Sequence, residues 1–180
     1  MKITHIFLTL SVSALAACTS SSTKTASVDS LSRDSSAVDT SFAAVEIKND
    51  TTETVFNHYS TLKDALVESD SKSAATAGKE LTSALSKVKG CEEAADLART
   101  ISESSDIKKQ RAAFIALNTD LMGVMKNAPV SAGSIYMMYC PMANEGKGAY
   151  WFSANKEVKN PYYGAEMLTC GEVKEEITKK

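Results

Sequence analysis

The sequence predicts a mainly α-helical domain: an antiparallel four-helix bundle with a small, irregular C-terminal β appendage. Three observations predict it. From Asp50 to Lys126 there is no proline, and the apolar residues keep helical spacing. After Ala128 the composition changes: all three prolines, five of the eight glycines and seven of the twelve aromatics fall between Pro129 and Val173. Ahead of both lies an apolar leader and a Ser/Thr-rich stretch that cannot form a core.

The leader comes first. Lys2 precedes an apolar run from Ile6 to Ala17, with small residues before Cys18. That is the pattern of a secretory signal peptide over residues 1–17. Its end, Leu15-Ala16-Ala17-Cys18, resembles a bacterial lipobox, in which Cys18 is acylated and becomes the mature N-terminus. Each buried CH₂ contributes about 0.8 kcal/mol, so several acyl chains on Cys18 would anchor the protein to a membrane. No acidic residue directly follows Cys18. The expectation is a periplasm-facing envelope lipoprotein, with the outer membrane favoured. Residues 18–45 then comprise the lipidated cysteine and a flexible tether; 13 of the 23 residues from Thr19 to Ser41 are Ser or Thr.

The bundle is expected over residues 46–128. Asp50 and Glu53 have capping-box spacing ahead of a stripe of Val55, Phe56, Tyr59, Leu62 and Leu66. A break at Ser69-Asp70-Ser71 starts a second helix with Ala74, Ala77, Leu81, Leu85 and Val88 inward, ended by Gly90. A short third helix carries Ala94, Leu97, Ala98 and Ile101. Ser104-Ser105-Asp106 caps a fourth, with Ile107, Phe114, Leu117, Leu121, Val124 and Met125 on one side. Each helix has one apolar face, so each must bury that face on the others. The appendage, residues 129–176, has β-prone runs at Ile135–Tyr139, Ala149–Phe152 and Glu166–Thr169, separated by glycine and Asn-Pro turns.

Composition excludes several functions. Twenty basic against 22 acidic residues, a net charge of −2, argue against nucleic-acid binding. No apolar run reaches the length of a spanning helix. Only two histidines, His5 and His58, are present, so a His-rich metal site is excluded. No nucleophile has a neighbouring base, and neither a Gly-rich phosphate loop nor a specified carboxylate pair occurs, so an enzyme is not expected.

The four cysteines carry the remaining chemistry: Cys18 for lipid, then Cys91, Cys140 and Cys170. Cys91 stands beside Glu92 and Glu93, which would raise its thiol pKa and leave it inert. Cys140-Pro141-Met142 is different. In an extended segment residues i and i+2 point the same way, which would aim the Cys140 thiol and the Met142 thioether at one point. Met137 and Met138 precede them; Met167 and Cys170 lie on the later segment. Soft sulfur donors of this kind suit Cu(I) and Ag(I). Zinc would ask for more cysteines and histidines, and Ca²⁺ or Mg²⁺ for clustered oxygens. A Cys140–Cys170 disulfide is the competing reading for a secreted protein. The residues alone do not choose between the two.

The run Y-C-P-M-A-N-E-G-K-G-A-Y-W-F-S, then V-K-N-P-Y-Y-G-A-E-M-L-T-C-G-E-V, resembles the family catalogued as domain of unknown function 3347. So do H-Y-S-T-L-K-D-A-L-V-E-S-D in the first helix and D-I-K-K-Q-R-A-A-F in the fourth. The likeness covers about Asp50 to Glu176. Members are mostly Bacteroidetes-type envelope proteins, some standing alone and others appended to periplasmic adaptors of heavy-metal efflux pumps. The resemblance implies copper or silver handling and efflux-system partners. The family's C-P-M motif falls on Cys140 and Met142, and its M-x-T-C-G motif on Met167 and Cys170. The family pattern often has a histidine in Q-R-x-x-F, where this chain has Ala112 and Ala113. The expected function is soft-metal binding in copper or heavy-metal homeostasis, through Cys140, Cys170, Met142 and Met167. Met138 is an alternative fourth donor and His58 a remote one. The alternative is a non-enzymatic envelope interaction module with a structural Cys140–Cys170 disulfide.

Overall fold

The proline-free stretch folds as four helices, and side-chain oxygens start three of them. A computed structural model describes residues 44–179. The predicted signal peptide, Cys18 and the tether as far as residue 43 lie outside the described residues. Helix α1 spans Asp50–Val67, α2 Ser71–Leu85, α3 Glu92–Ser102 and α4 Ile107–Lys126. Asn49, not Asp50, caps α1: its backbone is extended and its Oδ1 accepts the Thr52 N–H at 2.9 Å. The expected capping box therefore begins one residue too late, because Asp50 is already helical. Asp70 and Asp106 cap α2 and α4 by accepting two backbone N–H groups each. Helix α2 ends at Leu85 rather than at Gly90, whose φ of +85° places it in the connecting turn. Among the described residues no helix is long and apolar enough to cross a membrane.

The apolar stripes are buried as the spacing requires. Phe56, Tyr59, Leu62 and Leu66 of α1 join Leu81 and Leu85 of α2, Ile101 of α3, and Phe114, Leu117 and Leu121 of α4 in one core. Each helix packs mainly on the next in sequence; α1 and α4 touch less. Alanines and Gly78 let α2 lie close to α3: a Cβ at Gly78 would stand 3.1 Å from the Ala98 carbonyl oxygen.

Two small antiparallel sheets follow. Strand β1 (Glu46–Ile47) pairs with β2 (Val130–Ala132), and Val45 beside it is buried. Strand β3 (Ile135–Cys140) is the centre of a three-stranded sheet, between β4 (Ala149–Ser153) and β5 (Glu172–Ile177). Two of the expected β runs are therefore strands. The third is not: Gly164–Met167 is a short 3-10 helix, and the strand lies five residues beyond, at β5. Gly164 at φ +59° and the hydrogen-bonded Asn160 turn fold that segment back on itself, which an extended chain cannot do.

A buried polar relay ties the sheet to the helices. Tyr59 donates its hydroxyl proton to Asn118 Oδ1 at 2.6 Å and accepts the Phe152 N–H at 2.9 Å. Asn118 Nδ2 donates to the Phe114 carbonyl and to the Tyr162 hydroxyl, which donates in turn to the Tyr150 carbonyl. Burial pushes both tyrosine hydroxyls far above their ordinary pKa, so both stay neutral donors. Tyr59→Phe would strand the Asn118 oxygen and the Phe152 N–H in the core, a loss of about 2–4 kcal/mol. Urea denaturation should show that loss as a lowered midpoint; an unchanged midpoint would contradict the relay.

Candidate functional site

Cys140 is the last residue of β3. The strand stops there because Pro141 has no N–H to donate and the chain turns at once. The Ala143 N–H reaches back to the Cys140 carbonyl at 3.4 Å, and the Gly146 and Gly148 N–H groups both reach the Ala143 carbonyl. Asn144, Glu145 and Gly146 follow one another at φ +54°, +56° and +81°. A non-glycine residue in that left-handed region loses about 1–2 kcal/mol, so the turn after the C-P-M motif is strained.

This turn corrects one expectation. Strand parity does not carry the Met142 thioether alongside Cys140, because the strand has ended. Met142 is 53% exposed. Its backbone takes part instead: its N–H faces the Cys170 sulfur, and its carbonyl accepts the Tyr163 hydroxyl at 2.7 Å.

Cys170 arrives on a loop whose shape depends on Asn160. That side chain is fully buried. Its Nδ2 donates to the Cys170 carbonyl at 2.8 Å, and its Oδ1 accepts the N–H groups of Tyr162 and Tyr163. The Asn160 N–H also donates to the Leu168 carbonyl at 2.8 Å. Arg111 of α4 pins the same loop from outside. Its Nε donates to the Pro161 carbonyl, while Nη2 donates to the Leu66 carbonyl and the Ser69 hydroxyl at the end of α1. Gly164 must be glycine here: at φ +59°, a Cβ would lie 2.6 Å from Ser69 Oγ and 2.7 Å from Arg111 Nη2.

The result is a pair of sulfurs. Cys140 Sγ and Cys170 Sγ are 2.8 Å apart, with no bond drawn between them. Cys140 is buried and Cys170 partly exposed. The hydrogen bond with Cys140 holds the Cys170 thiol above its ordinary pKa, with a smaller contribution from burial. Aromatic residues lie close by: Trp151 and Tyr162 meet edge to face at 5.8 Å, and a Cβ on Gly171, next to Cys170, would strike the Trp151 ring. Two thiolates this close would repel, and a bound cation would offset that repulsion.

Among the described residues no third His, Cys, Asp or Glu joins the pair. Any further donor is therefore a thioether, a backbone group or an external ligand. Met138, fully buried, lies two residues before Cys140 on the same face of β3, opposite Trp151. Met167 sits in the 3-10 helix, and its carbonyl accepts the Cys170 N–H at 3.0 Å. His58 Nδ1 stands 3.4 Å from Glu80 Oε2, on α2 and away from the pair. Cys91 is buried at the start of α3; burial first, then Asp120 and Glu92, pushes its thiol up. Beside the C-P-M-A-N turn opens a groove of about 500 Å³ lined by Arg111, Ala112, Ile115, Asn144, Tyr163 and Glu166 among others.

Residues 55–133 match the family model described as "Protein of unknown function (DUF3347)". The matched residues take in most of α1 and all of α2, α3 and α4. The DUF3347 match begins in α1 and ends just past β2, before Cys140. It includes Gln110 and Arg111, whose roles the sequence did not disclose. Gln110 is fully buried and its Nε2 donates to the carbonyls of Ser71, Ile101 and Ser104, joining three helices. No curated protein and no solved structure matches the chain.

Two outcomes test this account of the cysteine site. Asn160→Ala should destabilise by about 2–4 kcal/mol, since it leaves the Cys170 carbonyl and the Tyr162 N–H unpaired. Glu145→Gly should instead stabilise by about 1 kcal/mol, by relieving the left-handed backbone. Chemical denaturation of both variants measures each; a destabilised Glu145→Gly would contradict the strained turn.

Proposed function

We propose that the chain is a periplasm-facing lipoprotein that binds a soft monovalent metal, Cu(I) or Ag(I), in copper or heavy-metal homeostasis or efflux. The observation that carries the reading is the 2.8 Å approach of Cys140 Sγ to Cys170 Sγ, thirty residues apart in sequence. Two thiolates in an apolar, aromatic setting are a soft donor pair, and a monovalent cation compensates the charge that their deprotonation creates. Met142, Met167 and Met138 are the candidate third donors: Met142 follows Cys140 by two residues, Met167 precedes Cys170 by three, and Met138 lies on the Cys140 face of β3. Met142 is the exposed one. The four helices, taken as an antiparallel bundle, are the scaffold. Cys18 would supply the lipid anchor, and efflux-system components are the partners that the family resemblance implies.

Sulfur-rich coordination favours holding Cu(I) over cycling it. The role proposed is therefore binding and delivery rather than catalysis.

A second reading has its own support. A sulfur pair at 2.8 Å is also close to bonding distance, as a structural disulfide in an envelope interaction module would require. One titration separates the two. The reduced full chain, titrated anaerobically with Cu(I) against a competing chelator, should bind one equivalent. Cys140→Ala and Cys170→Ala should each weaken that binding at least about 100-fold, whereas Cys91→Ala should leave it unchanged. Unchanged affinity in the first two variants would sink the metal assignment.

A further inference from the structure

The two cysteines differ in access, and the difference assigns them different chemistry. Cys170 is partly exposed, in the short segment between the 3-10 helix and β5. Cys140 is buried at the end of the central strand. Their sulfurs stand 2.8 Å apart. A disulfide bond needs about 2.0 Å, a small inward movement. A metal held by thiolate bonds of about 2.3 Å needs its two sulfurs about 3.8 Å apart in tetrahedral geometry and about 4.6 Å in linear geometry. That is a movement of 1 Å or more outward, on the order of the bond-length arithmetic. The two sulfurs are therefore close enough to bond to each other with a small shift of either side chain.

We propose that Cys140 and Cys170 form a thiol–disulfide exchange site whose substrate class is a low-molecular-weight disulfide, with Cys170 the attacking sulfur and Cys140 the resolving one. The Cys170 thiolate attacks one sulfur of the external disulfide. A bond forms between Cys170 Sγ and that sulfur, the external S–S bond breaks, and the first small thiolate leaves with its electron pair. Cys140, in contact and shielded from solvent, then attacks Cys170 Sγ. The protein disulfide forms, the mixed disulfide breaks and the second small thiolate leaves. The two protons lost by the cysteines end on the two released thiols. Two protein thiols are oxidised and one external disulfide is reduced, with no other redox partner.

The exchange stands on the sulfur geometry alone. Its consequence rests on the proposed copper reading: once bonded, neither sulfur carries the thiolate charge that a metal needs, so oxidation would empty the site and reduction would reopen it. The contacts that hold the Cys170 backbone, to Asn160 Nδ2 and to the Met167 carbonyl, leave rotation of its side chain to bring the sulfur into bonding range.

The test uses the reduced full chain and oxidised glutathione as the probe, followed by alkylation and peptide mapping. Wild type should give a linked Cys140–Cys170 peptide with two glutathiones released per chain, while Cys91 remains alkylated as a free thiol. Cys140→Ser should stop with one glutathione on Cys170. Cys170→Ser should leave Cys140 unmodified over the same period. An adduct on Cys140 in Cys170→Ser, or no linked peptide in wild type, would overturn the assignment, and the wild-type result stands even if a variant fails to fold. Chain loaded with Cu(I) should resist oxidation, and oxidised chain should lose its copper and regain it on reduction. Oxidation with copper retained would overturn the gating. Exchange in a chain that never bound Cu(I) would refute the copper reading and leave the exchange assignment in place.

Discussion

The cysteine site depends on one loop being held. From Ala154 to Gly171 the chain makes no strand, and its only regular structure is one short 3-10 helix. Left to itself such a segment would sample many shapes, at a cost of about 1–2 kcal/mol per residue to order. Asn160 organises it from within by giving both ends of its amide to loop backbone. Arg111 fastens it to the ends of α1 and α4 through three carbonyl or hydroxyl oxygens. Burial lowers the pKa of the Arg111 guanidinium, yet it remains a cation at any physiological pH. Those two side chains hold the loop that carries Cys170, and the pairing of Glu172 with Tyr139 brings its end alongside Cys140.

The helices make that grip possible. Gln110 joins the starts and ends of α2, α3 and α4, so the neighbouring Arg111 is presented from a rigid turn. Two turns further along the same helix, Asn118 links Tyr59 and Tyr162, so α1, α4, β4 and the loop share one buried network. A displaced sheet would break hydrogen bonds that water cannot replace. The stiffness required of a two-sulfur site thus comes from polar contacts as much as from the apolar core.

Much of this was legible in the residues, and the exceptions have physical causes. The four helices followed from stripes such as Phe56, Tyr59, Leu62 and Leu66, because amphipathic periodicity is local. The α1 cap was misplaced by one residue because Asn49 and Asp50 are both good caps, and only backbone geometry distinguishes them. The strand expected at Glu166–Thr169 failed because Asn160, six residues earlier, pulls that segment into a turn by side-chain bonds. The extended geometry expected for Cys140-Pro141-Met142 failed for a related reason: strand parity applies only while the strand lasts, and Pro141 ends it. The Cys140–Cys170 pair was named from motif and composition, but its closeness is a tertiary fact. Gln110 and Arg111 were visible as letters of a family motif with no role; their partners lie up to fifty residues away.

The central claim is that this pair, and not a histidine or carboxylate cluster, is where a soft metal would be held. X-ray absorption at the copper edge, on the reduced full chain carrying one equivalent of Cu(I), tests it most directly. The account predicts a first shell of sulfur at roughly 2.3 Å, lost when Cys140 and Cys170 are both alanine. A shell dominated by nitrogen or oxygen, or an unchanged sulfur shell in the double variant, would contradict it.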